Sequence, residues 1–275
     1  MRISSATLLV GLASLFFTKP TLANSRYGES LCEKDGYYCL KIKAETKEVT
    51  VKNGDKSKKV KRRIYIAENI LTGETREFES LPTWDTLWPE AAERNIVQKV
   101  NRLNISIRNG FVIAVPNDMQ DKTYMNFSPF PQSTEPNNEK LLIWDPKLLA
   151  WAAYDSNGVL IAWGPGVGGM DFCPDIKRSC RTIAGTFTIL EKYGASYRSG
   201  KYPISECRGS EPGRPGCAPM PYFMKFHRGG LGFHGSPDVP GAHASHGCVR
   251  IFTEDAEWLS KNFADTGTKT VIRAY

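Results

Sequence analysis

The chain has 275 residues with 36 basic and 29 acidic side chains, a formal charge of +7, four histidines and seven cysteines. That length is ample for two domains. After residue 23 no stretch is apolar enough to span a bilayer, and no nucleic-acid-binding motif stands out.

In chain order, Arg2, the apolar run ATLLVGLASLFF (6–17) and the small residues TLA (21–23) predict a secretory signal over 1–23. The run is shorter than the roughly 20 residues a membrane span requires. Cleavage there removes Arg2 and Lys19, leaving +5, so the expectation is an exported protein with no integral membrane segment. Export permits disulfides. Cys32 and Cys39 are seven residues apart, Cys173 and Cys180 also seven, and Cys207 and Cys217 ten. Neighbour pairing is preferred among 15 connectivities, and it leaves Cys248 as the single free thiol.

Residues 24–81 read as β-rich. KEVTVKNGDKSKKVKRRIYIAE (47–68) alternates on both sides of Asn53-Gly54, a hairpin-turn signal. Its basic run, Lys56–Arg63, could contact a polyanion, but reads first as the solvated flank of a turn. Residues 82–116 bring Trp84, Leu87 and Trp88, a helix with Ile96, Val97 and Val100 at helical spacing and Asn101 at its end, then a strand closed by Pro116. Residues 117–140 contain the Pro-, Ser- and Asn-rich SPFPQSTEPNNEK and read as a linker. From 141 to 275 strands dominate: a hairpin around Asn157-Gly158, glycine turns at 164–169 and a strand in TIAGTFTILEKY (182–193). TEDAEWLSKNF (253–263) is the clear helix. The fold class expected from this pattern is mainly β, with a mainly β domain over 141–275.

All four histidines, His227, His234, His243 and His246, lie within twenty residues just ahead of Cys248. A thiol becomes a strong nucleophile as thiolate, and imidazole can supply that state. The loop from His234 to Cys248 can bring the two together on neighbouring strands. Gly247 permits close backbone approach and could leave consecutive amides free for an oxyanion. The spacing matches no common zinc motif, so neither metal nor cofactor is expected.

The stretch FHGSPDVPGAHASHGCVRI (233–251) resembles the signature of the L,D-transpeptidases. GTFTI (185–189) and APMPYFMKF (218–226) resemble strands of the same family. Ile183 and Thr253 depart from it, standing where the family usually has proline and often has asparagine. The helix–turn–strand order of 82–116 resembles a LysM module.

These resemblances imply an L,D-transpeptidase-like β-sandwich catalytic domain over 141–275, with Cys248 as nucleophile and His234 as proton donor and acceptor. His246, Gly247 and Gly235 would support the site and its oxyanion. Ser245, Arg250 and Tyr222 would bind substrate, and Asp238 remains a possible helper. His227 and His243 would only pack. The implied partners are peptidoglycan stem peptides, with a second stem peptide, a protein lysine or water as acceptor. The implied place is the periplasm or cell envelope of a bacterium. The competing expectations are an L,D-carboxypeptidase and a wall-binding protein with an inert cysteine; oligomeric state is left open.

Overall fold

The computed structural model describes residues 26–53, 56–136, 138–203, 207 and 216–275. The signal expected at 1–23 and the hairpin-turn residue Gly54 lie outside them. Among the described residues the protein is mainly β, in two sheets, one of four strands and one of nine.

The first sheet has the order β3-β2-β1-β4. Strands β1 (Tyr37–Asn53) and β2 (Lys56–Asn69) form a long antiparallel hairpin. Strand β3 (Thr75–Phe78) flanks β2, and β4 (Val112–Pro116) flanks β1. Two helices precede β4. The short α1 (Trp84–Leu87) is capped by Thr83, whose side chain accepts from the Thr86 N–H. In α2 (Ala91–Asn101) the apolar spacing puts Ile96, Val97 and Val100 inside. The chain leaves α2 after Asn101, where Arg102 takes the left-handed region (φ 58°), and the Asn101 side chain ties this end down. Its amide donates to the Val97 and Ala114 carbonyls at 2.8 and 2.7 Å, and its Oδ1 accepts from the Ala114 N–H at 2.9 Å, fastening helix to strand. Residues 82–116 share a core with the hairpin: Trp84, Trp88 and Val97 pack with Ile42, Ala67 and Ile113.

The segment expected as a linker is packed down. Phe130 is buried among strand residues, and Thr134 and Gln132 hydrogen-bond the turn at Gly158 and Leu160. The apolar Phe130 inside a polar stretch is the physical reason.

The second sheet has the order β8-β13-β5-β6-β7-β12-β11-β10-β9. Its middle is the meander β5 (Leu141–Asp145), β6 (Ala150–Tyr154) and β7 (Leu160–Val167). One flank is β13 (Lys269–Ile272) and β8 (Gly185–Thr188). The other is β12 (Val249–Ile251), β11 (Leu231–Gly235), β10 (Met224–His227) and β9 (Glu191–Lys192). The outermost strands β8 and β9 are consecutive in the chain, separated only by Ile189 and Leu190. Phe187 and Phe226 meet across this junction at 5.4 Å, so the sheet curls until its edges meet. Inside the curl, α3 (Thr253–Trp258) and a π-helical turn (Leu259–Phe263) pack on Trp144, Trp151, Phe233 and Ile251. Burying such side chains contributes about 1.5–3 kcal/mol each.

Gly164 and Gly166, read from sequence as turn residues, lie within β7. A Cβ at Gly164 would come within 2.2 Å of Asp255 and 2.8 Å of Trp151, and one at Gly166 within 3.1 Å of Trp144. Here glycine makes room for buried tryptophans.

Two buried cations join the sheets. Lys99 of α2 donates to both carboxylate oxygens of Asp255 of α3, at 2.6 and 2.9 Å. The buried Arg102 donates to the Leu148 carbonyl at 3.0 Å and lies against the rings of Tyr27 and Trp163.

Candidate active site

The six cysteines pair as neighbours, Cys32–Cys39, Cys173–Cys180 and Cys207–Cys217, and Cys248 is free. The sheet then brings the candidate pair together. Strand β11 runs parallel to β12 with Phe233 opposite Val249 and His234 opposite Arg250. Phe233 and Val249 face the core, so His234, Arg250 and Cys248 (immediately before β12) share the opposite face. All three line one cavity of about 570 Å³.

His234 is only 6% exposed. Its Nδ1–H donates to the Gly235 carbonyl at 2.9 Å, which leaves Nε2 as the basic nitrogen. Burial lowers its pKa to about 4, against the pull of that hydrogen bond, and the Arg250 guanidinium adds to the lowering. Burial pushes the Cys248 thiol up to about 11, while a backbone bond from Gly232 and the Arg250 charge pull it down. Its S–H points to the Gly230 carbonyl, 3.6 Å away. At neutral pH the resting pair is therefore thiol and imidazole, whereas the sequence reading expected imidazole to supply a thiolate. Desolvation is the reason: it outweighs the Arg250 charge at the thiol, and at the imidazole that charge acts with it.

Ser245 lines the cavity, and its hydroxyl and the Gly247 N–H are committed to each other. Ser245 is buried, donating to the Cys248 carbonyl and accepting from the Gly247 N–H at 3.0 Å. It braces the turn, and the Gly247 N–H is not a free oxyanion donor. Gly247 has φ +124°, and a Cβ there would come within 2.9 Å of Leu231, so the turn needs glycine. Tyr222 does not line the cavity; its ring carries Lys261, and a hydrogen bond to Glu257 raises its pKa.

His246 lines the cavity but is turned by Gly247 toward Asp175, with Nε2 2.8 and 2.9 Å from the carboxylate oxygens. Tyr202 stacks on its ring at 4.3 Å. Asp175 sits in the loop closed by Cys173–Cys180; its only sequence signal was that short loop. The two sulfurs of that disulfide and His246 are the one cluster with metal-ligand geometry among the described residues, but a disulfide offers no thiolates. Thr182, also missed in the sequence, donates to the Gly247 carbonyl at 2.9 Å and accepts from the Gly169 N–H at 3.1 Å.

The cavity rim is cationic. Arg178, Lys201, Lys225 and Arg250 line it; Arg250 is paired with Asp238 at 2.7 Å and Lys225 with Glu191 at 2.7 Å. Tyr197 and Phe223 form a parallel stack along one wall. His227 and His243 lie outside the cavity. His243 accepts from the Gly168 N–H and packs on Trp144, while His227 accepts from the Gly229 N–H. The first sheet reaches this site: Asn104, just after α2, donates to the Ser236 carbonyl at 2.8 Å and accepts from the Val239 N–H at 2.8 Å.

Residues 139–272 match the family model of the L,D-transpeptidase catalytic domain. Among solved structures, an L,D-transpeptidase of Xylanimonas cellulosilytica is 19% identical, covering 65% of this chain and 78% of that one with a TM-score of 0.45. One of Mycobacterium smegmatis is 15% identical, covering 86% and 99% with a TM-score of 0.39. One of Mycobacterium tuberculosis is 16% identical, covering 61% and 74% with a TM-score of 0.37. No curated protein matches the chain.

Proposed function

Given that residues 139–272 are an L,D-transpeptidase catalytic domain and the chain an enzyme of that kind, we propose that Cys248 and His234 carry a two-step acyl transfer on peptidoglycan stem tetrapeptides. Cys248 Sγ attacks the carbonyl carbon of the third residue. His234 Nε2 takes the thiol proton as the S–C bond forms, then gives it to the departing amine of the terminal D-alanine. A thioester remains. An acceptor amine attacks it, losing its proton to His234, and the sulfur leaves and is reprotonated.

The observation that carries this reading is the placement of His234 and Cys248 on one face of paired parallel strands in a cation-rimmed cavity. The neutral resting pair supports proton transfer concerted with attack, because neither charged form is stable beforehand. The Arg250 charge favours negative charge developing on sulfur. The cationic rim suits a substrate bearing free carboxylates. Three disulfides and the signal-like residues 1–23 support export to the periplasm or cell envelope. The LysM-like order of 82–116 supports a role for that segment in holding the wall.

The test is incubation with purified tetrapeptide muropeptides and mass spectrometry. Loss of D-alanine with dimer formation supports the transpeptidase. Loss with a free tripeptide marks water as acceptor and an L,D-carboxypeptidase. A protein adduct marks a lysine acceptor. No loss, with Cys248→Ala indistinguishable from the parent, leaves a wall-binding protein.

A further inference from the structure

The β1–β2 hairpin outruns its own sheet. Strand β4 pairs only with Tyr37–Lys41 and β3 only with Tyr65–Glu68. Yet β1 and β2 go on pairing with each other from Glu45 opposite Ile64 to Asn53 opposite Lys56. At about 3.3 Å per residue this free ribbon reaches on the order of 30 Å. A two-stranded ribbon with no third strand or helix over it is marginally stable in water. Its length therefore serves no core of its own.

Residues 45–64 hold eight basic and three acidic side chains, five of the chain's seven net positive charges. Lys59 pairs with Glu48 at 3.0 Å, Lys47 pairs with Glu77, and Arg63 lies over Tyr65. Lys58, Lys61 and Arg62 are exposed, with no carboxylate partner among the described residues. The cross-strand register puts Lys47, Lys58 and Arg62 on one face beside Val49, Val51 and Val60. Lys59, Lys61 and Arg63 fall on the other face. Lysines on free edges do discourage edge-to-edge pairing, but that purpose needs only a few and favours neither face. A flat membrane meets one face of a ribbon; a linear polymer reaches both.

We propose that this ribbon is a second binding site, a grip for the carboxylate-bearing peptidoglycan network, separate from the cavity at Cys248. The identity of the polymer rests on the function proposed above; the polyanion-binding character rests on the ribbon alone. The attraction is between repeated charges, so salt weakens it, with a screening length of about 10 Å at 0.1 M.

The test is co-sedimentation of the full chain carrying Cys248→Ser with purified peptidoglycan sacculi across a salt series. Replacing Lys58, Lys61, Arg62 and Arg63 together by Gln is expected to weaken binding about ten-fold at low salt and flatten the salt dependence. Lys58→Arg with Lys61→Arg is expected to keep both. If the fourfold variant fails to fold by circular dichroism, Lys58→Glu alone is expected to shift binding the same way by less. Equal sedimentation of parent and charge-loss variants, salt-independent binding, or preference for phosphatidylglycerol vesicles over sacculi would each overturn the proposal. Salt-sensitive binding by this variant, together with no D-alanine release from tetrapeptide muropeptides by the parent with Cys248 intact, would sink the reaction and leave the ribbon site standing. The opposite result would do the reverse.

Discussion

Two buried polar clusters in this protein meet the same penalty in opposite ways. At the junction of the sheets, Lys99 and Asp255 are both buried, and burial pushes the Asp255 carboxyl up while the ammonium pulls it down. At the cavity, His234 and Cys248 are desolvated as well, but the nearby Arg250 charge opposes an imidazolium and only partly offsets the cost of a thiolate, and both settle neutral. A compensated pair holds structure. An uncompensated pair stays uncharged and is able to exchange a proton when a substrate supplies the stabilising partner.

The largest expected effect is at the uncompensated pair. His234→Ala removes the proposed base and is expected to lower D-alanine release by ~10²–10⁴-fold with folding intact. A variant within two-fold of the parent would mean the imidazole takes no proton. At the compensated pair, Lys99→Met leaves a carboxylate buried alone and is expected to cost about 3–5 kcal/mol in urea unfolding. Pairing it with Asp255→Leu should recover most of that loss, and failure to recover would mean packing, not charge, is the issue.

Next comes pH. Between pH 6.5 and about 4 the unfolded chain binds a proton at His234 that the folded chain refuses. Stability should fall as pH drops through that window, by roughly 3 kcal/mol. The thiol acts at the other end: folded Cys248 keeps its proton up to about 11, so its contribution is lost as pH rises from 9.0. Urea midpoints for the parent and His234→Gln should diverge only on the acid side; parallel curves would refute the buried neutral imidazole. The smallest effect belongs to Thr182→Val, which strips the Gly247 carbonyl of its side-chain donor. It should cost about 1 kcal/mol and slow D-alanine release slightly, read as a shift in both measurements.

Much of this was legible in the sequence, for reasons that differ by residue. Short-range signals carried through: seven- and ten-residue cysteine spacings became the three disulfides, and Ile96, Val97 and Val100 announced the buried face of α2. His234 and Cys248 line one cavity, and both stood out as candidates because they belong to one contiguous motif. What failed depended on contacts far along the chain. The glycines at 164 and 166 looked like turns because the tryptophans they accommodate are thirteen or more residues away. The Gly247 amide looked free because nothing local says that the Ser245 hydroxyl accepts from it. Asp175 reaches His246 across 71 residues, and Lys99 reaches Asp255 across 156.

That last span bears on cooperativity. The ion pair, the Arg102 bond to Leu148 and the Asn104 bonds to Ser236 and Val239 all tie an early segment to a late one. The loop that follows His234 is thus not finished until residues over a hundred positions earlier have docked against it. Neither sheet can melt while the other stays whole without exposing an unpaired buried charge. Calorimetry should accordingly record a single endotherm, with catalysis and global unfolding lost at the same temperature.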